Sequence, residues 1–431
     1  MGASGGGEKL PDFSRLIAGR ALLCAGLGCA TPHHTTPPLS RSCPSLNTGH
    51  GGELAMGPRA GIAAFLLSLS AVPVSHLINN LPGVDSPEVV FAAGVAVLLG
   101  LLLVLYLLVG SSRPKDPLFY VFAVFSFTSV IDLVISLEQD GYIKGFMTFY
   151  MKEGEPYLRS AYGIVICYWD GTVHYVLYLT MIGAITLGWN YRSVGLYWLG
   201  SLVMSLITLL LGTSVGKFGS EIRPAFLLNI PYVLIPIWAG KKIIGSPISL
   251  PSASADQVAR DQTRWLYCRP VDVFLMLYLT FAIMYTLLRG FVALDCSLDF
   301  CDTYKYDQEP YLLDPVMYPR IQMLVNMFYL LPFFVLALYG LIVPGCAWML
   351  DLTVVFAGAI AQAQFAHVGA SLHPRTSFTY RVPDHALSDF LYANAIFAIG
   401  AQLLALRCAI RPGFFHKGVP RNSQEMEKKV N

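Results

Sequence analysis

Ten apolar runs, each about 20 residues long, decide what this chain can become. They lie near residues 60–79, 88–110, 117–137, 160–188, 193–213, 225–240, 271–291, 321–343, 351–372 and 387–406. A run of that length crosses a hydrocarbon layer of about 30 Å as a helix. Lipid cannot hydrogen-bond an exposed backbone, so only helices or a closed barrel span it, and a barrel requires alternation that these runs lack. The composition agrees: 55% of the chain is hydrophobic and only 13% charged. The expected fold class is an all-α polytopic membrane protein with about ten transmembrane helices. The sixth run is short and the fourth contains Asp170 and His174, so these two depart most from a plain span.

Charge distribution sets the orientation. With both termini cytosolic, 19 of the 29 Lys and Arg residues fall on the cytosolic side, as the positive-inside bias requires. The opposite, lumenal side then holds two copies of Glu-Pro-Tyr-Leu, at Glu155–Leu158 and Glu309–Leu312, offset by 154 residues. Each copy follows one span and an acidic loop and precedes three more spans. The chain therefore reads as two N-terminal helices (58–115) followed by two tandem four-helix units of like orientation, 116–245 and 270–408. Residues 1–57, rich in Gly, Ser, Thr and Pro, are expected to be a disordered extension. Residues 246–269 read as a Ser/Pro-rich cytosolic linker and 409–431 as a cytosolic tail. Cys296 and Cys301 share a lumenal loop, where a local disulfide is chemically allowed. No His/Cys spacing suits a metal, and no cofactor or nucleic-acid partner is expected.

Ionisable groups at membrane depth are costly and turn toward a bundle interior or a cavity. In ICYWDGTVHYVLY, Asp170 and His174 stand four apart on one helix face, beside Trp169 and Thr172. Asp132 lies in the preceding span. If Asp132 and Asp170 meet, mutual repulsion keeps a proton on one of them, which suits acid–base chemistry; the competing reading is a hydrogen-bonded structural lock. Asp132, Asp170 and His174 are thus the catalytic candidates, with Trp169 and Thr172 as ligand contacts. In the second unit Gln322 and Asn326, four apart, can bind a ligand or join helices, and the polar face reads as neutral. Arg289 is expected to snorkel at the lumenal boundary, and His367 to be a packing residue. The rigid Pro and boundary Tyr of EPYL favour a structural role, with Glu155 at a cavity mouth as the alternative.

The segments KEGEPYL, ICYWDGTVHY, GLYWLGS, EIRPAF, LRGFVALDC, QEPYL, VPGCAW, AQAQF and FTYRVP, taken in order, resemble the transmembrane 6 superfamily from about residue 58 to 416. The resemblance implies two domains of the EXPERA type, shared with the emopamil-binding sterol isomerase and the sigma-two receptor. It aligns Asp132 with the isomerase's histidine, Ser136 and either Trp169 or Asp170 with its glutamates, and Thr172 with its threonine. Asn326 stands at an acidic position of the sigma-two receptor. Loss of carboxylates at Ser136 and Asn326 weakens the proton-transfer reading. The implied function is an endoplasmic reticulum protein that binds sterol or related lipid and regulates lipid metabolism. In that role it supports triglyceride-rich lipoprotein secretion and lipid droplet content, with lipoprotein-assembly proteins as partners. The alternative is a sterol double-bond isomerase. Lys428 and Lys429, in the terminal KKVN, have the form of a dilysine retrieval signal for the endoplasmic reticulum and the ER–Golgi intermediate compartment.

Overall fold

The computed structural model describes residues 59–80, 86–110, 114–247 and 254–416, and all regular structure among them is helical. The N-terminal extension and the dilysine tail lie outside the described residues. Among the described residues, nine helices have the length and apolarity to cross a membrane. They are α1 (Arg59–Asn79), α2 (Pro87–Val109), α3 (Leu118–Gln139), α5 (Arg192–Val215), α6 (Pro224–Gly245), α7 (Pro270–Ala293), α8 (Tyr318–Ile342), α9 (Met349–Leu372) and α10 (Asp384–Ile410). The fourth apolar run is also helical, as α4, residues 161–187, but a π-helical turn at Asp170–His174 interrupts it. A multi-pass all-α membrane protein is the result.

Local sequence sets the ends of these helices. Ser86 accepts a hydrogen bond from Val89 N, with Pro87 in the first turn of α2. Ser160 does the same for Gly163 N at the start of α4, each satisfying a backbone donor the helix leaves unpaired. Gly188, with φ 71°, closes α4 in the left-handed conformation that glycine adopts without penalty.

The two halves meet on α5 and α9, the third helices of the proposed units. Here backbone touches backbone: a Cβ on Gly200 would stand 1.7 Å from Val355 O, and one on Gly358 would stand 2.0 Å from Tyr197 O. Small residues permit such close approach, and dispersion over the whole contact replaces the hydrophobic force that lipid cannot supply. Arg192 of α5 clamps one end of the bundle, pairing with Asp351 of α9 and donating to Ile244 O in the last turn of α6 and to Ser246 O just beyond it. Tyr162 and Tyr318, opening α4 and α8, stack 4.5 Å apart at the other end. In contrast, only 17% of the apolar window of α2 is buried, against 67% for α9. The front pair α1–α2 packs mainly on the first unit and leaves its outer face exposed.

Both EPYL segments fold alike. Tyr150–Gly154 and Tyr304–Gln308 are π-helical turns, each followed by a 3-10 turn, Pro156–Arg159 or Pro310–Leu313. A second π-turn recurs in α8 at Asn326–Leu330, matching that in α4. Cys296 and Cys301 are disulfide-bonded. The linker departs from its composition: residues Ala255–Thr263 form a helix capped by Ser254. Gln262 there donates to His416 O, docking the helix beside the turn Pro412–Phe414. Its polarity reflects a surface helix rather than a lack of structure.

Candidate functional site

A cavity of about 200 Å³ lies within the first six spans, lined mainly by aliphatic and aromatic side chains from α1 to α6. Asp132, Glu155, Asp170 and His174 all reach it. Pre-formed, largely apolar cavities with a few convergent polar groups are the usual form of small-ligand sites.

The close crossing of α3 and α4 brings the two aspartates together. A Cβ on Gly171 would lie 2.7 Å from Leu133 N, so only glycine allows α4 to rest on the α3 backbone beside Asp132. Ser136 locks the crossing by donating to Asp132 O and to Ile164 O. It is a helix clamp, fully buried and away from the cavity. The π-turn then advances the α4 register by one residue and swings Asp170 and His174 inward. Such turns concentrate at functional sites because they re-aim side chains that a regular helix would turn elsewhere.

Around His174 the hydrogen bonds form a chain. Nδ1 lies 2.6 Å from Asp170 Oδ1, and Nε2 is 2.7 Å from Ser201 Oγ. Trp169 Nε1 donates to the same Ser201 Oγ at 2.9 Å. Trp169 Nε1, which can only donate, also lies 3.3 Å from His174 Nε2, so Nε2 is the acceptor and takes the Ser201 hydroxyl, while Nδ1 stands in ion-pair contact with Asp170. Ser201 is fully buried and outside the cavity lining, so it orients the ring rather than acting as a nucleophile. Asp132 differs: its nearest polar side-chain partner is the Cys167 thiol, with Sγ at 4.0 Å. Its carboxylate is the cavity's least committed acceptor.

At the cavity end nearest the first EPYL turn, Glu155 accepts from Tyr150 OH at 2.8 Å, Asn229 Nδ2 at 2.8 Å and Tyr157 OH. Burial pushes its carboxyl above the ordinary range, and these donors offset part of the rise. Glu155 thus ties the EPYL turn to α6 while forming part of the cavity wall. Trp169 stands behind the wall on Ser201. Thr172 is exposed and donates back to Tyr168 O, so neither lines the cavity. Gln322 and Asn326 are buried in the second half, where Gln322 Nε2 donates to Ala363 O.

The second unit is not neutral. Glu309, which corresponds to Glu155, pairs with Arg289 at 2.9 Å and with His367, and accepts from Tyr304 OH. Arg289 also donates to Asn394 Oδ1 and lies over the Tyr285 ring at 4.1 Å. Arg289 is 2% exposed and does not snorkel; its buried partner Glu309 replaces the water that snorkelling would seek. His367 is a member of this network rather than a lone packing residue. Arg289 and His367 hold the Glu309 carboxyl down at about 2, against the rise that burial imposes. Glu309 thus has a buried cation as partner, whereas Glu155 has neutral donors and lines the cavity. Ser201, Asn229 and the Arg289–Glu309 pair escaped the sequence reading because each partner comes from a distant span; the shared Tyr at five residues before each Glu was the one signal available.

The residues from 70 to 254 match the family model for the transmembrane domain of transmembrane 6 superfamily member 2-like proteins, and 297–408 match the EXPERA (expanded EBP superfamily) model. Transmembrane 6 superfamily member 2 of Homo sapiens is 53% identical over 374 residues, 86% of this chain and 98% of the human protein. The Rattus norvegicus and Mus musculus proteins of the same name are each 52% identical, covering 84% of this chain and 96% of their own length. No solved structure matches. With relatives of this identity aligned across most of both chains, the chain belongs to the transmembrane 6 superfamily, member 2 type, and carries an EXPERA domain in its second half.

Proposed function

We propose that this protein binds a sterol or a related lipid in the cavity of its first unit and thereby regulates lipid metabolism. The observation that carries this reading is a mainly apolar cavity whose lining includes Asp132 and the contacting pair Asp170 and His174. That arrangement suits a rigid hydrocarbon body with one hydroxyl, which Asp132 would accept. We place the protein in the endoplasmic reticulum membrane, supported by Lys428 and Lys429 near the C-terminus. There the loaded form supports triglyceride-rich lipoprotein secretion and lipid droplet content, acting with lipoprotein-assembly proteins. The tandem units 116–245 and 270–408 divide the work: the first holds ligand, and the second, with Glu309 sealed by Arg289, holds the fold.

Lipid extraction and mass spectrometry of the purified protein test the reading, together with radiolabelled sterol binding. Asp132→Asn is expected to weaken binding about 2- to 10-fold, the value of one hydrogen bond. Purification with no enriched lipid and no saturable sterol binding would overturn it. The proximity of two carboxylates in one cavity favours a second reading, a sterol double-bond isomerase with Asp132 and Asp170 as acid and base. Incubation with a sterol of shifted ring unsaturation decides it: isomerised product, lost in Asp170→Asn, is the result this reading requires.

A further inference from the structure

A second concavity, of about 290 Å³, opens at the face that carries both EPYL loops. Four separate chain segments meet there. Arg159 follows the first EPYL, Lys217 follows α5, Arg375 follows α9, and Tyr311 belongs to the second EPYL. The three cations are exposed, and among the described residues none forms a carboxylate ion pair. Lys217 lies 5.0 Å from the centroid of the Phe218 ring, and Arg375 donates one bond to Gln139 O. Their neighbours on the same face behave otherwise: Arg223, Arg320 and Lys305 pair with Glu153, Asp295 and Asp302. The single acid in the concavity, Asp314, is buried and turned to the backbone, where it accepts from Val316 N. The N-terminus of α4 also opens here, at Ser160 and Ala161, adding the positive end of its dipole.

Three cations that make no ion-pair contact among the described residues, with Lys217 acting on the buried Asp314 only at longer range, and a helix N-terminus around one hollow make a site for a multiply oxygenated anion. We propose that this concavity binds a phosphate group, and that its occupant is chiefly the headgroup of an anionic phospholipid in the adjoining leaflet. Its position supports the lipid source, because every lining segment immediately precedes or follows a span. Guanidinium forks match phosphate oxygens in pairs and Lys adds a point charge. Bound phosphate would tie Arg159 of the first unit to Arg375 of the second, so occupancy would brace the joint between the two halves. The site is separate from the apolar cavity, and this inference stands whether or not that cavity holds sterol.

The test uses the full-length protein in detergent and native mass spectrometry with equimolar phosphatidylinositol, phosphatidic acid and phosphatidylcholine. Retention of the anionic lipids about 10-fold above phosphatidylcholine is expected, lost in Arg159→Gln/Lys217→Gln/Arg375→Gln and increased in Asp314→Asn. The double variant Arg159→Gln/Lys217→Gln, which spares the Arg375 bond to Gln139, guards against misfolding and should lose most of the preference. Glycerol 3-phosphate and inorganic phosphate form the second arm. Stabilisation by these soluble anions, lost in the same variants, without lipid preference, retains the phosphate site but overturns its lipid source. If neither arm separates wild type from the variants, the site is refuted.

Discussion

Glu155 and Glu309 occupy the same turn of the same repeated segment yet hold opposite chemistry. Glu155 has only neutral donors, and burial raises its carboxyl; Glu309 has Arg289 and His367, and its carboxyl falls to about 2. Removing one partner of a buried, hydrogen-bonded pair leaves a stranded charge, which costs about 3–5 kcal/mol. Glu309→Gln and Arg289→Ala should therefore lower the melting temperature in detergent far more than Glu155→Gln, which exchanges one hydrogen-bond acceptor for another at a cost of about 1 kcal/mol; equal losses would contradict the assignment. The pH dependence has a definite sign. A carboxyl held below its ordinary value stabilises the fold fully above about pH 4.5, and that contribution fades as pH falls toward 2. Glu155 contributes the reverse, losing stability as pH rises through its elevated range. Melting curves between about pH 3 and 6 should thus show an acid-side decline that Glu309→Gln flattens.

At the scale of single helices, glycine and the π-turn decide the geometry. Gly200 and Gly358 let α5 and α9 touch through their backbones, and Gly171 does so for α4 on α3. A methyl group at any of the three meets backbone atoms, which cannot rotate away as a side chain could. Gly200→Ala is expected to cost at least 1–3 kcal/mol, the usual range for an overpacked core, and to be seen as a lower melting temperature and loss of monodisperse protein. Gly183→Ala, whose added Cβ meets nothing within 4 Å, is the control. Gly171→Ala should in addition separate Asp132 from Asp170 and reduce sterol binding beyond its effect on stability. The sequence marked Asp170 and His174 as inward-facing, since charge in hydrocarbon has no other tolerable place. It did not mark Gly171 or Ser136 as the means of bringing α3 near, because that depends on which helix arrives opposite.

Across the molecule, the side chains of each membrane face bind one another. Lys242–Asp116, Arg192–Asp351 and Arg407–Asp272 join one set of ends, while Arg223–Glu153 and His373–Asp140 join the other. The charge bias assigns the first set to the cytosol. Of the four free cysteines among the described residues, only Cys268 is exposed, and it lies on that side. In sealed microsomes carrying Cys24→Ser, Cys29→Ser and Cys43→Ser, an impermeant maleimide should label Cys268 without permeabilisation; labelling only after permeabilisation would invert the topology.

The order of spans, the doubled EPYL segment and the placement of Asp132, Asp170 and His174 at a cavity were all legible in the sequence. Each follows from a local rule, the cost of backbone or charge in lipid, that needs no knowledge of neighbours. The tertiary structure alone decided that α1–α2 wall in the first unit, that Arg289 seals Glu309 while Glu155 lines a cavity, and that part of the linker folds as a helix. Those outcomes are settled by pairs of atoms brought together from distant spans, and a one-dimensional pattern of hydrophobicity and charge does not encode which surfaces meet.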